Sequence, residues 1–231
     1  MDPYGGTGPL AMFHLFHKRI ADVLVPRLGV VFRPPVRLGS FPARWRQANV
    51  SPIPKGTPSS SVANYRPISS ASVLSKVFQR LVAVRLGRFR ESSGVLPTTQ
   101  FEYQKGLGTC DALSCVSHTL QGALESGQEA TIVMIDFSIV FDRVIYQGIL
   151  YKLCSVGIRG SVLCILTQFL SNLSQHVMVD GCRSQQVNVV SGVPQGSVLG
   201  PLLLLLYTSE RFSILENKLI GYANDFTLQL Q

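Results

Sequence analysis

This 231-residue sequence contains two aspartates, Asp136 and Asp225, whose positions predict a site for divalent cations. Asp136 ends an apolar run that starts at residue 131, and such a run is typical of a buried strand with its carboxylate at the C-terminal tip. A second strand-like run, 218–222, is followed by Asn224 and Asp225, which predicts a hairpin with both residues at its tip. If the two strands are neighbours in one sheet, Asp136 and Asp225 meet at its rim, where carboxylate oxygens suit Mg²⁺.

The composition is that of a folded, basic protein. Hydrophobic residues make up 46% and charged residues 15%, and the net charge of +8 favours a polyanionic partner. The five cysteines form no CxxC pair, which indicates reduced, buried thiols in a cytoplasmic or nuclear protein that is not secreted. The apolar run 198–207 is too short to cross a bilayer, so it predicts a buried helix and no membrane partner.

The elements that must position the aspartates are helices mixed with hairpins, and this mixture favours an α+β sheet covered by helices. Pro26 is expected to end a first helix that starts near residue 10, and Trp45 is expected to anchor a proline-rich loop on the core. Residues 50–54 suggest a short edge strand. The other predictions are helices at 72–90, 111–124, 147–156 and 161–170, and a hairpin of 176–180 with 186–190 around the turn Asp180-Gly181.

The predicted helix 72–90 has a capping serine, Ser72, and a terminating glycine, Gly94. Its apolar positions are Leu74, Val77, Phe78, Leu81 and Val82, and its basic side chains fall mostly off that stripe. A charged helix face is usually solvated, but three of these side chains are also candidates for contact with a phosphate backbone: Arg80, Arg85 and Arg88. Both readings stay open at this point.

Four ordered motifs identify a family resemblance. They are IPKG at 53–56 with NYRPI at 64–68, DFS…FD from 136 to 142, GVPQGS at 192–197, and GYAND at 221–225. Over residues 40–231 the chain resembles the reverse transcriptase domain of non-LTR retrotransposons and is similar to jockey-like, LINE-type elements. The resemblance implies a right-hand polymerase with fingers and palm, an antiparallel palm sheet covered by helices, and no thumb within this chain.

The resemblance also implies a division into domains. Residues 1–40 are an N-terminal extension and 41–130 the fingers. Residues 131–150 are the palm segment with the first catalytic strand and its following helix. Residues 151–190 are an insertion between fingers and palm. Residues 191–231 are the palm segment with the nucleotide-contacting loop, a helix and the metal-site hairpin.

The activity implied is RNA-directed DNA polymerisation, which uses an RNA template, a DNA primer, dNTPs and two Mg²⁺ ions. The resemblance makes Asp136 and Asp225 catalytic and metal-binding, and places Asn224 at a ligand position. Phe141 would exclude a 2′-hydroxyl, and the remaining nucleotide contacts would be Lys55, Arg66, Gln195 and Gly196.

Each assignment has a plainer alternative. Phe141 reads equally as a core aromatic, and Gln195 as part of an ordinary loop. For Asp142, an ion pair with Arg143 or a cap on the next helix is a simpler interpretation than metal binding. His118 and His176 each lie apart from other candidate site residues in the sequence, which indicates structural roles.

The hairpin tip departs from the family's pattern of Ala-Asp-Asp, because Asn224 replaces the first aspartate. A neutral amide weakens a site for two dications, which predicts impaired catalysis. Because the sequence stops at Gln231, without thumb or endonuclease, a truncated copy is expected. The alternatives are a catalytically silent RNA- or DNA-binding remnant and a chain that forms no stable product; the oligomeric state stays open.

Overall fold

The computed structural model describes residues 21–209, 219–222 and 225–230, apart from 97, 103, 105 and 137–139. The described helices are α1 (Ala21–Leu38), α2 (Val73–Ser93), α3 (Thr109–Glu125), α4 (Val140–Arg143), α5 (Tyr146–Ser155), α6 (Gly160–Leu170) and α7 (Gly200–Thr208). The described strands are β1 (Gln47–Pro54), β2 (Tyr65–Ala71), β3 (Thr131–Asp136), β4 (Leu173–Val179), β5 (Cys182–Arg183), β6 (Val187–Val189), β7 (Leu219–Tyr222) and β8 (Asp225–Leu230). The predicted α+β class is confirmed.

The larger sheet has the strand order β2-β1-β4-β5, and β6 also pairs with β4. The predicted edge strand at 50–54 is the second half of β1, which begins earlier, at Gln47. Ala48 to Pro54 pair with β2, and Gln47 to Val50 also pair in parallel with β4, so β1 is an edge strand only beyond Val50. Pro52 and Pro54 lie beyond the part that pairs with β4. Since proline has no N–H to donate, this is where a strand tolerates it.

The smaller sheet has the order β3-β8-β7, with both pairs antiparallel. It contains the predicted strand at 131–136 and the two strands of the predicted C-terminal hairpin. The expectation that β3 is buried is wrong, because Val133 is 38% and Met134 83% exposed. Strand propensity reports how a residue fits a pleated surface, whereas burial depends on what packs over it.

The core lies between α2, α5, α6, α7 and the segment that leads into β1. Five aromatic rings pack together in it with centroids 5.2–6.2 Å apart: Phe32, Phe41, Trp45, Phe78 and Phe169. The predicted anchoring of the proline-rich segment by Trp45 is therefore confirmed. The run of leucines in α7 is buried, as predicted for 198–207.

Helix α2 begins and ends as predicted. The Ser72 hydroxyl accepts a hydrogen bond from the Ser75 amide at 3.3 Å, and Gly94 ends the helix with a left-handed φ of 61°. Its buried stripe differs from the prediction, because Leu81 is 50% exposed while two polar side chains, Ser75 and Gln79, are buried. Their hydrogen bonds, described below, explain why the core accepts them.

Helix α1 runs through Pro26, Pro34 and Pro35, so the expected stop at Pro26 is wrong; the predicted start near residue 10 lies outside the described residues. Phe32, in the second half of α1, is buried against Trp45 and Phe78. We attribute the continuation past Pro26 to this packing, because tertiary contacts offset the lost backbone hydrogen bond.

The hairpin turn at Asp180-Gly181 is confirmed by φ angles of 48° and 78°, which suit a type I′ turn.

The cysteines are free, but Cys110, Cys164 and Cys182 are exposed and Cys115 and Cys154 are half-buried, so the expectation of buried thiols is wrong. The count and spacing of the cysteines carry no information about which face of a helix or strand each one occupies. Among the described helices, none is both long and apolar enough to cross a membrane.

Candidate active site

Asp136 and Asp225 lie directly opposite each other. The antiparallel pairing of β3 with β8 runs from Thr131 opposite Leu230 to Asp136 opposite Asp225, and Tyr222 of β7 pairs with Asp225 on its other side. β3, which ends at Asp136, is therefore the neighbour of β8, which begins at Asp225. The expectation that the strand predicted at 218–222 lies next to β3 is wrong, because β8 separates β7 from β3. Asn224 lies outside the described residues.

The loop 192–197 is held against α4. The Gly192 amide donates to the Val144 carbonyl at 2.8 Å, and the Val193 amide donates to the Phe141 carbonyl at 2.6 Å. Gly192 has a φ of 80°, and a Cβ there would lie 2.6 Å from the Phe141 oxygen. Only glycine fits this approach without strain.

The same loop also reaches the larger sheet. The Gln195 carbonyl accepts a hydrogen bond from the Ser69 amide of β2 at 2.6 Å. Gly196, with a φ of 95°, would place a Cβ 2.7 Å from the Ser69 oxygen. The loop therefore joins α4, which follows Asp136, to the strand that carries Arg66.

Asp142 is bound by this loop. Gln195 donates from Nε2 to Asp142 Oδ1 at 3.1 Å, and the Ser191 hydroxyl donates to the Asp142 carbonyl at 3.1 Å. The interpretation of Asp142 as the partner of Arg143 or as a helix cap is wrong. Its partner lies about fifty residues later in the chain, beyond the reach of local patterns.

Gln79 was missed by the sequence analysis. It is 1% exposed, and its Oε1 accepts from the Val198 amide at 2.9 Å and the Leu199 amide at 3.4 Å. Its Nε2 donates to the Ser75 hydroxyl, which donates in turn to the Trp45 carbonyl, both at 3.0 Å. This chain of bonds attaches the residues after the loop 192–197 to α2. The signal in the sequence was a glutamine on the apolar face, four residues after a serine.

With this geometry in place, comparison with known proteins decides the family. Residues 53–231 match the family described as reverse transcriptase (RNA-dependent DNA polymerase). The chain belongs to the reverse transcriptase family. Reverse transcriptases generally use divalent metal ions, and aspartate carboxylates are hard oxygen donors of the kind that suit such ions.

Two curated relatives are retrotransposon enzymes of Drosophila melanogaster, which confirms the resemblance to non-LTR elements. The probable RNA-directed DNA polymerase from transposon X-element is 36% identical over 182 residues, covering 78% of this chain and 20% of the relative. The RNA-directed DNA polymerase from mobile element jockey is 32% identical over 192 residues, covering 83% and 21%. The chain spans about a fifth of the length of these relatives.

Two solved telomerase structures share the fold. Apo telomerase from Candida tropicalis superposes with a TM-score of 0.58 at 12% identity, over 80% of this chain and 44% of that one. Telomerase from Candida albicans, in complex with a fragment of telomeric RNA, gives 0.52 at 13%, over 94% and 43%. The predicted polymerase fold is thereby confirmed.

The predicted triphosphate contacts of this reverse transcriptase domain lie at one end of the β1–β2 hairpin. Arg66 is exposed and pairs in register with Ile53, two residues before Lys55. Lys55 is exposed as well, and its Nζ donates to the Ala63 carbonyl at 2.9 Å. Both cations are therefore exposed to solvent at the same end of the hairpin.

The remaining candidates fall in different settings. Arg80, Arg85 and Arg88 are exposed on α2. Phe141 is half-buried and packs against the core, which is compatible with either of its two interpretations. His176 is 9% exposed, with Nδ1 3.1 Å from the Ser184 carbonyl, and fits the structural role expected of it. Within the described residues, no three histidine, cysteine, aspartate or glutamate side chains come together to hold a metal ion.

Proposed function

We propose that this chain is the polymerase domain of a non-LTR retrotransposon enzyme that extends a DNA primer on an RNA template with dNTPs. The observation that carries the proposal is the register that sets Asp136 opposite Asp225. Directly opposite residues of an antiparallel pair share one face of the sheet. Asp136 and Asp225, with Asn224 next to Asp225 in the sequence, are the residues that would hold Mg²⁺.

The other residues would bind and orient the reactants. Asp136 and Asp225 would hold Mg²⁺, whose charge would favour ionisation of the primer 3′-hydroxyl and offset charge on the leaving pyrophosphate. Arg66 and Lys55 would hold the triphosphate, because a guanidinium matches phosphate oxygens in a bidentate way. Phe141 would exclude a ribonucleotide 2′-hydroxyl, and Gln195 and Gly196 would contact the incoming nucleotide.

Asn224 is the reason to expect weak catalysis. An amide oxygen can bind a cation, but it brings no charge to offset two dications, so we propose that the unmodified chain binds Mg²⁺ weakly. A catalytically silent nucleic-acid-binding remnant is the second candidate function, and this one substitution favours it. In either case RNA is the partner, and the compartment proposed is the cytoplasm or the nucleus.

Primer extension tests the proposal. The unmodified chain, Asn224→Asp, and Asn224→Asp combined with Asp136→Asn are assayed with an RNA template, a DNA primer, dNTPs and Mg²⁺. We expect Asn224→Asp to extend the primer at least on the order of 10²-fold faster than the unmodified chain, since electrostatic terms of this kind are worth several kcal/mol. The added Asp136→Asn should abolish extension.

Folding is verified for each variant by thermal melting. A folded Asn224→Asp chain that extends no faster than its Asp136→Asn derivative would overturn the proposed polymerase. If the unmodified chain extended the primer as fast as the Asn224→Asp variant, the second candidate function, a catalytically silent remnant, would be excluded.

A further inference from the structure

A cleft of about 480 Å³ lies between the C-terminal half of α2 and the turn that joins α5 to α6. Three arginines line it: Arg85 and Arg88 from α2 and Arg159 from the turn. Its apolar lining includes Leu86, Phe89 and Ile158, of which Leu86 and Ile158 are 2% and 4% exposed. The volume falls within the range of small-molecule sites, about 300–1,000 Å³.

The cleft carries uncompensated positive charge. Its lining, as far as the chain is described, contains no carboxylate, and the ion pair nearest in sequence is that of Glu91 with Arg90 at 3.8 Å. Among the described residues, none of the three lining guanidinium groups is paired with an acid. Like charges that converge without an acid repel one another, so the arrangement favours a bound anion.

Arg159 is held in place before any ligand binds. Its Nη1 donates to the Ile158 carbonyl at 2.9 Å and to the Cys154 carbonyl at the end of α5. The turn beneath it is itself fixed, because the Gly157 amide donates to the Cys154 carbonyl at 3.1 Å with a φ of 98° at Gly157. A guanidinium has five N–H donors, so anchoring through Nη1 leaves donors for a ligand.

A solvated helix face does not account for this geometry. Arg85 and Arg88 are three residues apart on one face of α2, whereas Arg159 comes from a separate part of the chain. Solvation of a charged helix face explains neither a third arginine contributed by another element nor an apolar cavity beside the charges. The convergence of all three on one cleft is what a binding site requires.

We propose that this cleft binds single-stranded RNA, with phosphates at the three arginines and one unstacked base against the apolar lining of Leu86, Phe89 and Ile158. Guanidinium groups match phosphate oxygens, and apolar surfaces accept the face of any base. In a duplex the bases are stacked inside, so only a single strand can supply both contacts. The choice of RNA as ligand rests on the proposed function, but binding at the cleft needs no catalysis.

Fluorescence anisotropy with a labelled single-stranded oligouridylate tests the site on the full chain, without dNTP or metal ion. The test variant changes Arg85, Arg88 and Arg159 to Gln. The matched control changes three exposed arginines elsewhere to Gln, which gives the same net charge: Arg27, Arg44 and Arg183. Melting temperatures of both variants establish that they fold.

We expect the cleft variant to lose on the order of 10- to 100-fold in affinity at about 0.1 M salt and its salt slope to fall by about 2, since each phosphate contact on a single strand contributes about 0.7. The control variant should lose far less. For the unmodified chain, an abasic ribose-phosphate oligomer and a blunt duplex should both bind more weakly than oligouridylate.

Equal losses in the two variants would overturn the site, as would equal binding of the abasic oligomer or of the duplex. Displacement of the RNA by polyglutamate at equal charge concentration would also overturn it, since it would indicate an acidic protein as the ligand. Primer extension is measured on the same cleft variant in the Asn224→Asp background, so a failure of catalysis is read separately from a failure of binding.

Discussion

Gln195 donates a hydrogen bond from its Nε2 to Oδ1 of Asp142 across 3.1 Å, which ties the loop 192–197 to the helix that follows Asp136. If Gln195 contacts the incoming nucleotide, as proposed, Asp142 orients it. In the Asn224→Asp background, we expect Asp142→Ala to raise the KM for dNTP about 2- to 5-fold with a smaller effect on kcat, because an exposed hydrogen bond is worth about 0.5–1 kcal/mol. Steady-state primer extension measures both constants.

Asp142→Asn is the control for that measurement, because it keeps an Oδ1 acceptor for Gln195. Its KM should stay near that of the parent. If the Asn and Ala variants changed KM equally, charge rather than the hydrogen bond to Gln195 would be responsible.

The buried amide of Gln79 should be a large contributor to stability. Gln79→Leu leaves the Val198 and Leu199 amides without their acceptor, and we expect a loss of about 2–3 kcal/mol in the free energy of unfolding. Urea denaturation measures this loss, and hydrogen exchange at the Val198 amide should become faster. Gln147→Leu, at an exposed position of α5, is the control and should change stability by less than about 0.5 kcal/mol.

Gly192 should tolerate no side chain, because two effects add there. Ala at Gly181 meets only the cost of a left-handed φ, about 1–2 kcal/mol, since nothing lies within 4 Å of its Cβ. Ala at Gly192 meets that cost and also a backbone contact 2.6 Å from its Cβ. Chemical denaturation should therefore show a larger loss for Gly192→Ala than for Gly181→Ala. Equal losses would contradict the close approach to Phe141.

Stability should fall at high pH because of Tyr146. Burial raises the pKa of Tyr146 to about 12, and its hydroxyl donates to the Val189 carbonyl at 3.4 Å. An unfolded tyrosine has a pKa of about 10, so the two states bind protons equally below that pH. Between about pH 10 and 12 the unfolded chain releases the proton first, and the free energy of unfolding decreases.

Unfolding midpoints measured between about pH 9 and 11.5 test this dependence. Tyr146→Phe should flatten the decrease, whereas Tyr151→Phe, at a side chain 77% exposed, should leave it unchanged. The same slope in all three proteins would mean that other groups cause the decrease.

Local features of the sequence predicted the elements well. The apolar run ending at Asp136, the cap at Ser72, the terminating Gly94 and the turn at Asp180-Gly181 depend on neighbours a few residues away, and each is confirmed. The prediction that Pro26 ends the first helix failed because its outcome depends on residues that are distant in the sequence. A proline's local cost can be offset by tertiary packing, here that of Phe32 on the aromatic core, which no local pattern shows.

By itself, the sequence determined the types and order of the motif residues, and with them the family. Only the tertiary structure decided the pairing of Asp136 with Asp225 and the attachment of residues 198–199 to α2 through Gln79. It also decided the convergence of Arg159 on the face of Arg85 and Arg88. The physical reason is that each of these contacts joins residues far apart in the chain. Periodicity and capping report on neighbours within a few residues, whereas strand register and helix packing decide which distant side chains meet.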